Sequence, residues 1–155
     1  MSRDAWLLLH IVGVILFLGN IIVTAVWKVL ADRTKSPPVV AFAQRLVTTT
    51  DIAFTATGVV LIIVSGQVMA EDYGGVFGGP AWLTIGWSLF IASGAIWLGA
   101  LVPIQVMQAR LARGFASEPV VPQRYWRLSA LWSVFGALAT ILPLAALYFM
   151  VFKPD

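Results

Sequence analysis

Four stretches of the chain contain no Asp, Glu, Lys or Arg, and each is long enough to cross a bilayer as a helix, which takes about 20 mostly apolar residues. They are residues 6–27, 52–70, 81–107 and 128–152. Small and polar residues inside them recur every three or four positions, so each helix has one face for partner helices and one for lipid. The pattern predicts a single all-α transmembrane domain over residues 1–155, folded as an antiparallel four-helix bundle.

The composition supports the same environment. Hydrophobic residues make up 60% of the chain and charged residues 11%, whereas soluble domains are usually about 45–50% apolar and about 25% charged. So few charges exclude a soluble enzyme and a disordered chain, and they predict contact with the lipid bilayer. The chain has no Cys, which excludes disulfides and metal sites built from thiolates.

The charges also predict the orientation. Eight of the ten basic residues lie in or beside the first and third connections: Lys28, Arg33, Lys35, Arg45, Arg110, Arg113, Arg124 and Arg127. The middle connection carries Glu71 and Asp72 and no basic residue. Basic residues in short loops mark the cytoplasmic side, so both termini are predicted on the extracytoplasmic side of the cytoplasmic (inner) membrane. Because the basic residues follow topology and form no single patch, no nucleic-acid partner is expected.

His10 is the strongest candidate for chemistry, since it is the only histidine and lies within the first span. An ionisable residue inside a membrane segment is a candidate functional residue, and a neutral imidazole can bind haem iron or another metal, or pass a proton. Gly13 and Phe17 lie on the same face of the helix, where Gly13 leaves room for a flat ligand. The alternative is a structural histidine that hydrogen-bonds to a neighbouring helix.

Residues at the same depth as His10 are candidates for the rest of a binding site. Met69 and Met150 are candidate second axial ligands of a haem b, and Trp82 is a candidate apolar wall. Other arrangements are a five-coordinate iron or a haem shared by two protomers. Methionine also commonly fills gaps in a core, which is the structural alternative for both residues.

Asp51 is the second candidate, near the opposite end of the second span. Asn20, Lys28 and Arg127 are predicted at similar depth. One interpretation is an ion pair of Asp51 with Lys28 or with Arg127 that fixes the register of the helices. The other is a carboxylate that handles protons.

Several short motifs resemble a bacterial family of predicted integral membrane proteins, domain of unknown function 2269. The resemblance covers nearly the whole chain. It is carried by residues 8–13, 18–20, 31–33, 54–55, 58–59, 65–66 and 82–83, together with Lys28 and Asp51. This family is distantly similar to copper-resistance D-type and HemJ-type four-helix membrane proteins.

The resemblance to the HemJ-type protoporphyrinogen oxidases implies haem binding at His10, which matches their haem-binding histidine on the first helix. Those enzymes also have a Trp-Leu-His-x-Lys motif early in the third helix. Thr84 and Gly86 occupy the positions of that His and Lys here. The resemblance therefore implies haem or porphyrin binding through His10 rather than protoporphyrinogen oxidation.

Three hypotheses for the function follow from the sequence, of which a small transporter ranks third, because one bundle with a single buried titratable group offers little coupling machinery. The first is a small haem- or redox-associated membrane protein centred on His10. The second is a non-catalytic accessory or scaffold subunit of a larger membrane complex or a homo-oligomer, which the long apolar faces would equally suit. Whether the protein is an enzyme is left open by the sequence.

Overall fold

The computed structural model describes residues 1–154, which form four long helices and no strand. The helices are α1 (Arg3–Arg33), α2 (Pro37–Tyr73), α3 (Ala81–Phe115) and α4 (Gln123–Phe152). Each is long and apolar enough to cross a membrane, and the four contain the four predicted spans. The prediction of an all-α membrane fold is therefore confirmed.

Two of the helices contain a turn of π-helix. In α2 the α-helical segments Pro37–Thr50 and Thr57–Ala70 are separated by a π-helical segment, Asp51–Ala56, and the helix ends in a 3₁₀ turn, Glu71–Tyr73. In α3 the segments are Ala81–Ile96, the π-helical Trp97–Leu101, and Val102–Phe115. The π turn of α3 ends two residues before Pro103, which has no N–H for the helical ladder. Such turns often occur at functional sites, and the turn in α2 begins at Asp51.

The helices pack as two close pairs, α1 with α2 and α3 with α4. In the first pair the contact is formed by two glycines, because a Cβ atom on Gly58 would lie 2.7 Å from the carbonyl oxygen of Gly13. In the second pair the Ser93 hydroxyl donates a hydrogen bond to the carbonyl of Ala139 at 2.7 Å. Small residues and hydroxyl groups thus bring the backbones together, as is usual for membrane helices.

The two pairs are joined most closely at the end of the bundle that carries the first and third connections, here called the basic end. A buried core there contains Val40, Ala41, Ala112, Phe115, Val121 and Tyr125. The opposite end, here called the terminal end, carries the start of α1, the connection between α2 and α3, and the end of α4. Two cavities lie between the helix pairs away from the basic core.

Candidate functional site

The first cavity lies near the terminal end and has a volume of about 410 Å³. Side chains from all four helices line it, and most of them are apolar. Five of the six residues predicted from the sequence to bind a cofactor are among them: His10, Phe17, Met69, Trp82 and Met150. The fold therefore brings these side chains into one space, here called the His10 cavity.

Gly13 is the predicted cofactor-binding residue that the structure places elsewhere. It is buried in the contact between α1 and α2, where a Cβ atom would lie 2.9 Å from Cβ of Leu61 and 3.0 Å from the carbonyl oxygen of Gly58. Its small size allows two helices to approach, and it opens no space for a ligand. The sequence pattern placed Gly13 on the correct helix face but did not show which partner covers that part of the face.

Two linked hydrogen bonds connect the His10 ring to α2 and favour one tautomer of the ring. The Ser65 hydroxyl donates to the backbone carbonyl of Leu61, one helical turn earlier. Its single proton is therefore committed, and Ser65 Oγ must accept the hydrogen bond that joins it to His10 Nδ1 at 3.0 Å. In a neutral imidazole with Nδ1 protonated, Nε2 carries a free lone pair. The backbone carbonyl of Ile62 is a further hydrogen-bond partner of the ring, so the polar contacts of His10 lie on α2.

A glycine allows the His10 ring to pack closely against α2. A Cβ atom on Gly66 would lie 3.3 Å from His10 Cε1, which is a tight contact. Across the cavity, Cε of Met150 lies 2.6 Å from where a Cβ atom on Gly86 would be. Gly86 thus gives the Met150 thioether a place against α3, inside the same cavity.

Charged and aromatic side chains surround the cavity at the terminal end. Arg3 Nε lies 3.0 Å from Asp72 Oδ2 in an exposed ion pair. Lys153 Nζ lies 5.0 Å from the centre of the Trp82 ring and 5.6 Å from that of Tyr73. Arg3 and Lys153 both line the cavity; because Arg3 is paired with Asp72, Lys153 is the cationic group that a ligand could engage without breaking an ion pair.

A second cavity of about 740 Å³ lies deeper in the bundle and includes Asp51 in its lining; it is here called the Asp51 cavity. Phe17 and Phe90 line both cavities. Their rings pack edge to face with centroids 5.6 Å apart. This aromatic pair therefore lies between the two spaces.

Asp51 does not form either of the predicted ion pairs. Its Oδ1 atom accepts hydrogen bonds from Thr55 Oγ1 at 3.0 Å and Asn20 Nδ2 at 3.2 Å, and its Oδ2 atom accepts one from Gln105 Nε2 at 2.7 Å. All three donors are neutral, so the predicted pairing with Lys28 or Arg127 is wrong. The expected proximity of Asn20 is correct.

Lys28 belongs to a separate polar network at the basic end. Its ammonium group donates to Asp32 Oδ2 at 2.7 Å, to the Tyr125 hydroxyl at 3.0 Å and to Ser129 Oγ at 3.2 Å. Tyr125 in turn donates to Gln44 Oε1 at 3.3 Å. The side chain of Lys28 is 1% exposed and that of Asp32 is 15% exposed, so the pair is almost wholly enclosed. Because Lys28 already has its carboxylate, it is not available to Asp51.

Arg127 lies outside both networks. It is exposed, and the ion pairs found within residues 1–154 are Arg3 with Asp72 and Lys28 with Asp32. Position along the chain does not predict the rotation of α4 about its axis, which turns Arg127 to the outside of the bundle. The polar face of α4 at this end is instead formed by Tyr125 and Ser129.

Within the described residues there is no group of three or more His, Cys, Asp and Glu side chains that could hold a free metal ion. A single imidazole nitrogen is nevertheless sufficient for haem, because the porphyrin supplies the other in-plane ligands and the protein supplies only the axial ones. The donor set of the His10 cavity is therefore compatible with a haem.

These features define a class: an integral membrane protein with four apolar helices that enclose two cavities and isolated buried polar networks. Residues 5–154 match the model of the family described as predicted integral membrane protein (DUF2269), and the chain belongs to that family. Neither the search of curated proteins nor the search of solved structures gives a match.

Proposed function

We propose that this membrane protein binds a haem in the His10 cavity, with His10 Nε2 as an axial ligand of the iron. The observation that carries the proposal is the hydrogen-bond chain from His10 Nδ1 through Ser65 to the carbonyl of Leu61. Histidines that bind metals almost always donate their other ring N–H to such a partner, which fixes the ring and raises its basicity. The same two hydrogen bonds favour the His10 tautomer that has its proton on Nδ1, and this tautomer leaves the lone pair of Nε2 for a metal.

The surroundings of His10 supply the other properties of a haem site. The volume of about 410 Å³ lies within the usual range of roughly 300–1,000 Å³ for small-molecule sites. Trp82, Phe17, Met69 and Met150 line the cavity; the two aromatic rings would form apolar walls, and the thioether of Met69 or Met150 would be available to hold the iron. Lys153 can pair with a carboxylate of the ligand.

The residues of this chain would bind and orient the group and keep water from it. Haem supplies one-electron chemistry when bound. His10 would hold the iron, Ser65 would hold the orientation of the imidazole, and the apolar walls would exclude solvent. A position near the terminal end gives access from that side of the membrane.

Ser65→Ala provides a direct test, because it removes the hydroxyl that accepts from His10 without touching the ligand site itself. We expect haem affinity to fall about 10-fold, the lower part of the range for loss of a partner of a ligating histidine. The measurement is a haem titration of detergent-purified protein followed by Soret absorbance.

Ser88→Ala is the matched control. The Ser88 hydroxyl donates to the carbonyl of Thr84 at 2.8 Å, the same bond one turn back along a helix, but it contacts no histidine. Haem affinity should be unchanged in this variant. Equal losses in both variants, or no loss in Ser65→Ala, would contradict the role given to Ser65.

We also propose that the terminal end faces the extracytoplasmic side of the cytoplasmic membrane. The proposal is supported by the separation of charge, since the basic residues of the first and third connections lie at the opposite end of the bundle. Such residues in short loops stay in the cytoplasm.

Reporter fusions in bacterial cells test this orientation. Alkaline phosphatase joined to the C-terminal residue should be active, and green fluorescent protein at the same position should be dark. The same reporters placed in the connection around Lys35 should give the opposite result. The reverse pattern at the two sites would overturn the orientation and, with it, the side from which the His10 cavity is reached.

A further inference from the structure

The Asp51 cavity has the size and the walls of a site for a lipophilic molecule. Its volume is about 740 Å³, and residues of all four helices line it. Several lining residues are also exposed on the outer surface of the bundle, among them Ile22 and Val26 of α1, Leu98 of α3 and Ile141 of α4. The cavity therefore opens on the apolar surface that faces lipid, and a ligand that enters it must first dissolve in the bilayer.

The carboxylate of Asp51 is the charged group in this apolar space. Asp51 is 9% exposed, and its three hydrogen-bond donors, Asn20, Thr55 and Gln105, are neutral. Neither ion pair found within residues 1–154 includes it. A carboxylate enclosed at membrane depth is costly unless a positive charge accompanies it. A positively charged group beside Asp51 would therefore be stabilised in this cavity.

The surrounding polar groups favour an organic cation over a metal ion. Thr24 Oγ1 donates to Asn20 Oδ1 at 3.2 Å, which occupies the amide oxygen and turns the amide nitrogen toward Asp51. Gln105 likewise presents nitrogen to the carboxylate. Hard metal ions require several oxygen ligands, and this site offers mainly the two carboxylate oxygens. One carboxylate matches one positive charge.

Two tryptophans of the cavity provide further, independent features of a ligand site. Trp97 and Trp132 line it, and the indole nitrogen of each is buried without a hydrogen-bond partner in residues 1–154. Aromatic faces attract organic cations that have left water. Lys28 Nζ already lies 5.4 Å from the Trp132 ring, so Trp97 is the tryptophan whose ring is left to contact a ligand cation.

We propose that the Asp51 cavity binds a lipophilic organic monocation, with the charged group beside Asp51 and the apolar body along the walls formed by α1, α3 and α4. The ligand enters from the lipid phase. This site is separate from the His10 cavity, from which the Phe17–Phe90 pair divides it, so either site can be tested without the other.

The test uses rhodamine 6G, an aromatic monocation, and follows its fluorescence anisotropy with protein in a non-ionic detergent. The wild type should bind it saturably, and Asp51→Asn should bind it at least 10-fold more weakly. Asparagine keeps the size of the side chain and an oxygen that accepts from Asn20 and Thr55, and rotation of the Gln105 amide by 180° lets its oxygen accept from the new amide nitrogen, so we expect the fold to be retained. Asp72→Asn is the matched control, because it removes an exposed carboxylate at the terminal end, and it should leave the affinity unchanged.

The wild type alone gives a second test if Asp51→Asn does not fold. Tetraphenylphosphonium, a monocation, should displace the dye, whereas neutral triphenylphosphine oxide should not. Displacement by both compounds to the same extent would show an apolar site, or one filled by lipid, and would overturn the proposal. Dye binding that does not saturate, or equal affinity in the wild type and Asp51→Asn, would overturn it as well.

Discussion

The His10→Ala variant is expected to lose haem while the helical bundle stays folded. His10 supplies the one imidazole of the protein, and the loss should exceed the ~100-fold upper range for the loss of a partner of a ligating histidine. The bundle should persist because its closest helix contacts are made elsewhere, by Gly13 with Gly58 and by Ser93 with Ala139. A Soret titration measures the first effect, and far-UV circular dichroism measures the second.

Free imidazole distinguishes a ligand from a structural residue in the same variant. If His10 binds the iron, alanine leaves room for exogenous imidazole in its place, and the Soret band should return as imidazole is added. Met69→Leu and Met150→Leu, made separately, should shift the spectrum only where the thioether is the second axial ligand. Haem binding by His10→Ala at the affinity of the wild type would show that His10 is a structural residue.

Lys28→Met is expected to cause the largest loss of stability among single changes at the basic end. Methionine keeps the length of the side chain but leaves Asp32 without its cation, and Tyr125 and Ser129 without a donor. Removing one partner of a buried ion pair typically costs about 3–5 kcal/mol. Since Asp32 is 15% exposed and can gain some water, we expect about 3 kcal/mol. The measurement is the free energy of unfolding in detergent.

Two further variants test whether the loss of stability in Lys28→Met comes from the unpaired charge of Asp32. The double variant Lys28→Met/Asp32→Leu replaces both charges by apolar groups and should recover a large part of the stability, because no unpaired charge remains. Lys35→Met removes an exposed ammonium in the first connection and should change the free energy of unfolding by less than ~0.5 kcal/mol. Equal losses for Lys28→Met and Lys35→Met would show that the network does not stabilise the fold.

The sequence predicts the helices well because backbone N–H and C=O groups have no water to bind in the lipid core. Every backbone group within the bilayer must be paired inside its own segment, so an uncharged apolar stretch of the required length becomes a helix whatever surrounds it. Depth is predicted for the same reason, since position along a helix follows from the rise per residue. His10, Met69, Trp82 and Met150 were placed at one level on this basis, and the structure brings them to one cavity.

The partners of the polar residues are harder to predict, because they depend on how each helix is rotated and on which helices form pairs. Asp51 was assigned a basic partner from depth alone, whereas the π turn that begins there and the position of α3 bring Thr55 and Gln105 to it. The pairing of Asp32 with Lys28 could have been predicted from the sequence, because residues four apart on one helix are neighbours. The contact of Tyr125 with Lys28 could not have been predicted in this way, because the two residues lie 97 positions apart in the chain.

The central claim is that the His10 cavity binds haem, and the most direct test is the absorbance of wild-type protein titrated with haem after purification in detergent. The account predicts a saturable Soret band, with b-type features in the reduced-minus-oxidised difference spectrum. It also predicts that metal-free protoporphyrin binds far more weakly than haem. This compound has the same shape as haem but contains no metal for His10 to bind. Folded protein that shows no Soret band at any haem concentration would contradict the claim and leave His10 as a residue that joins α1 to α2 through Ser65.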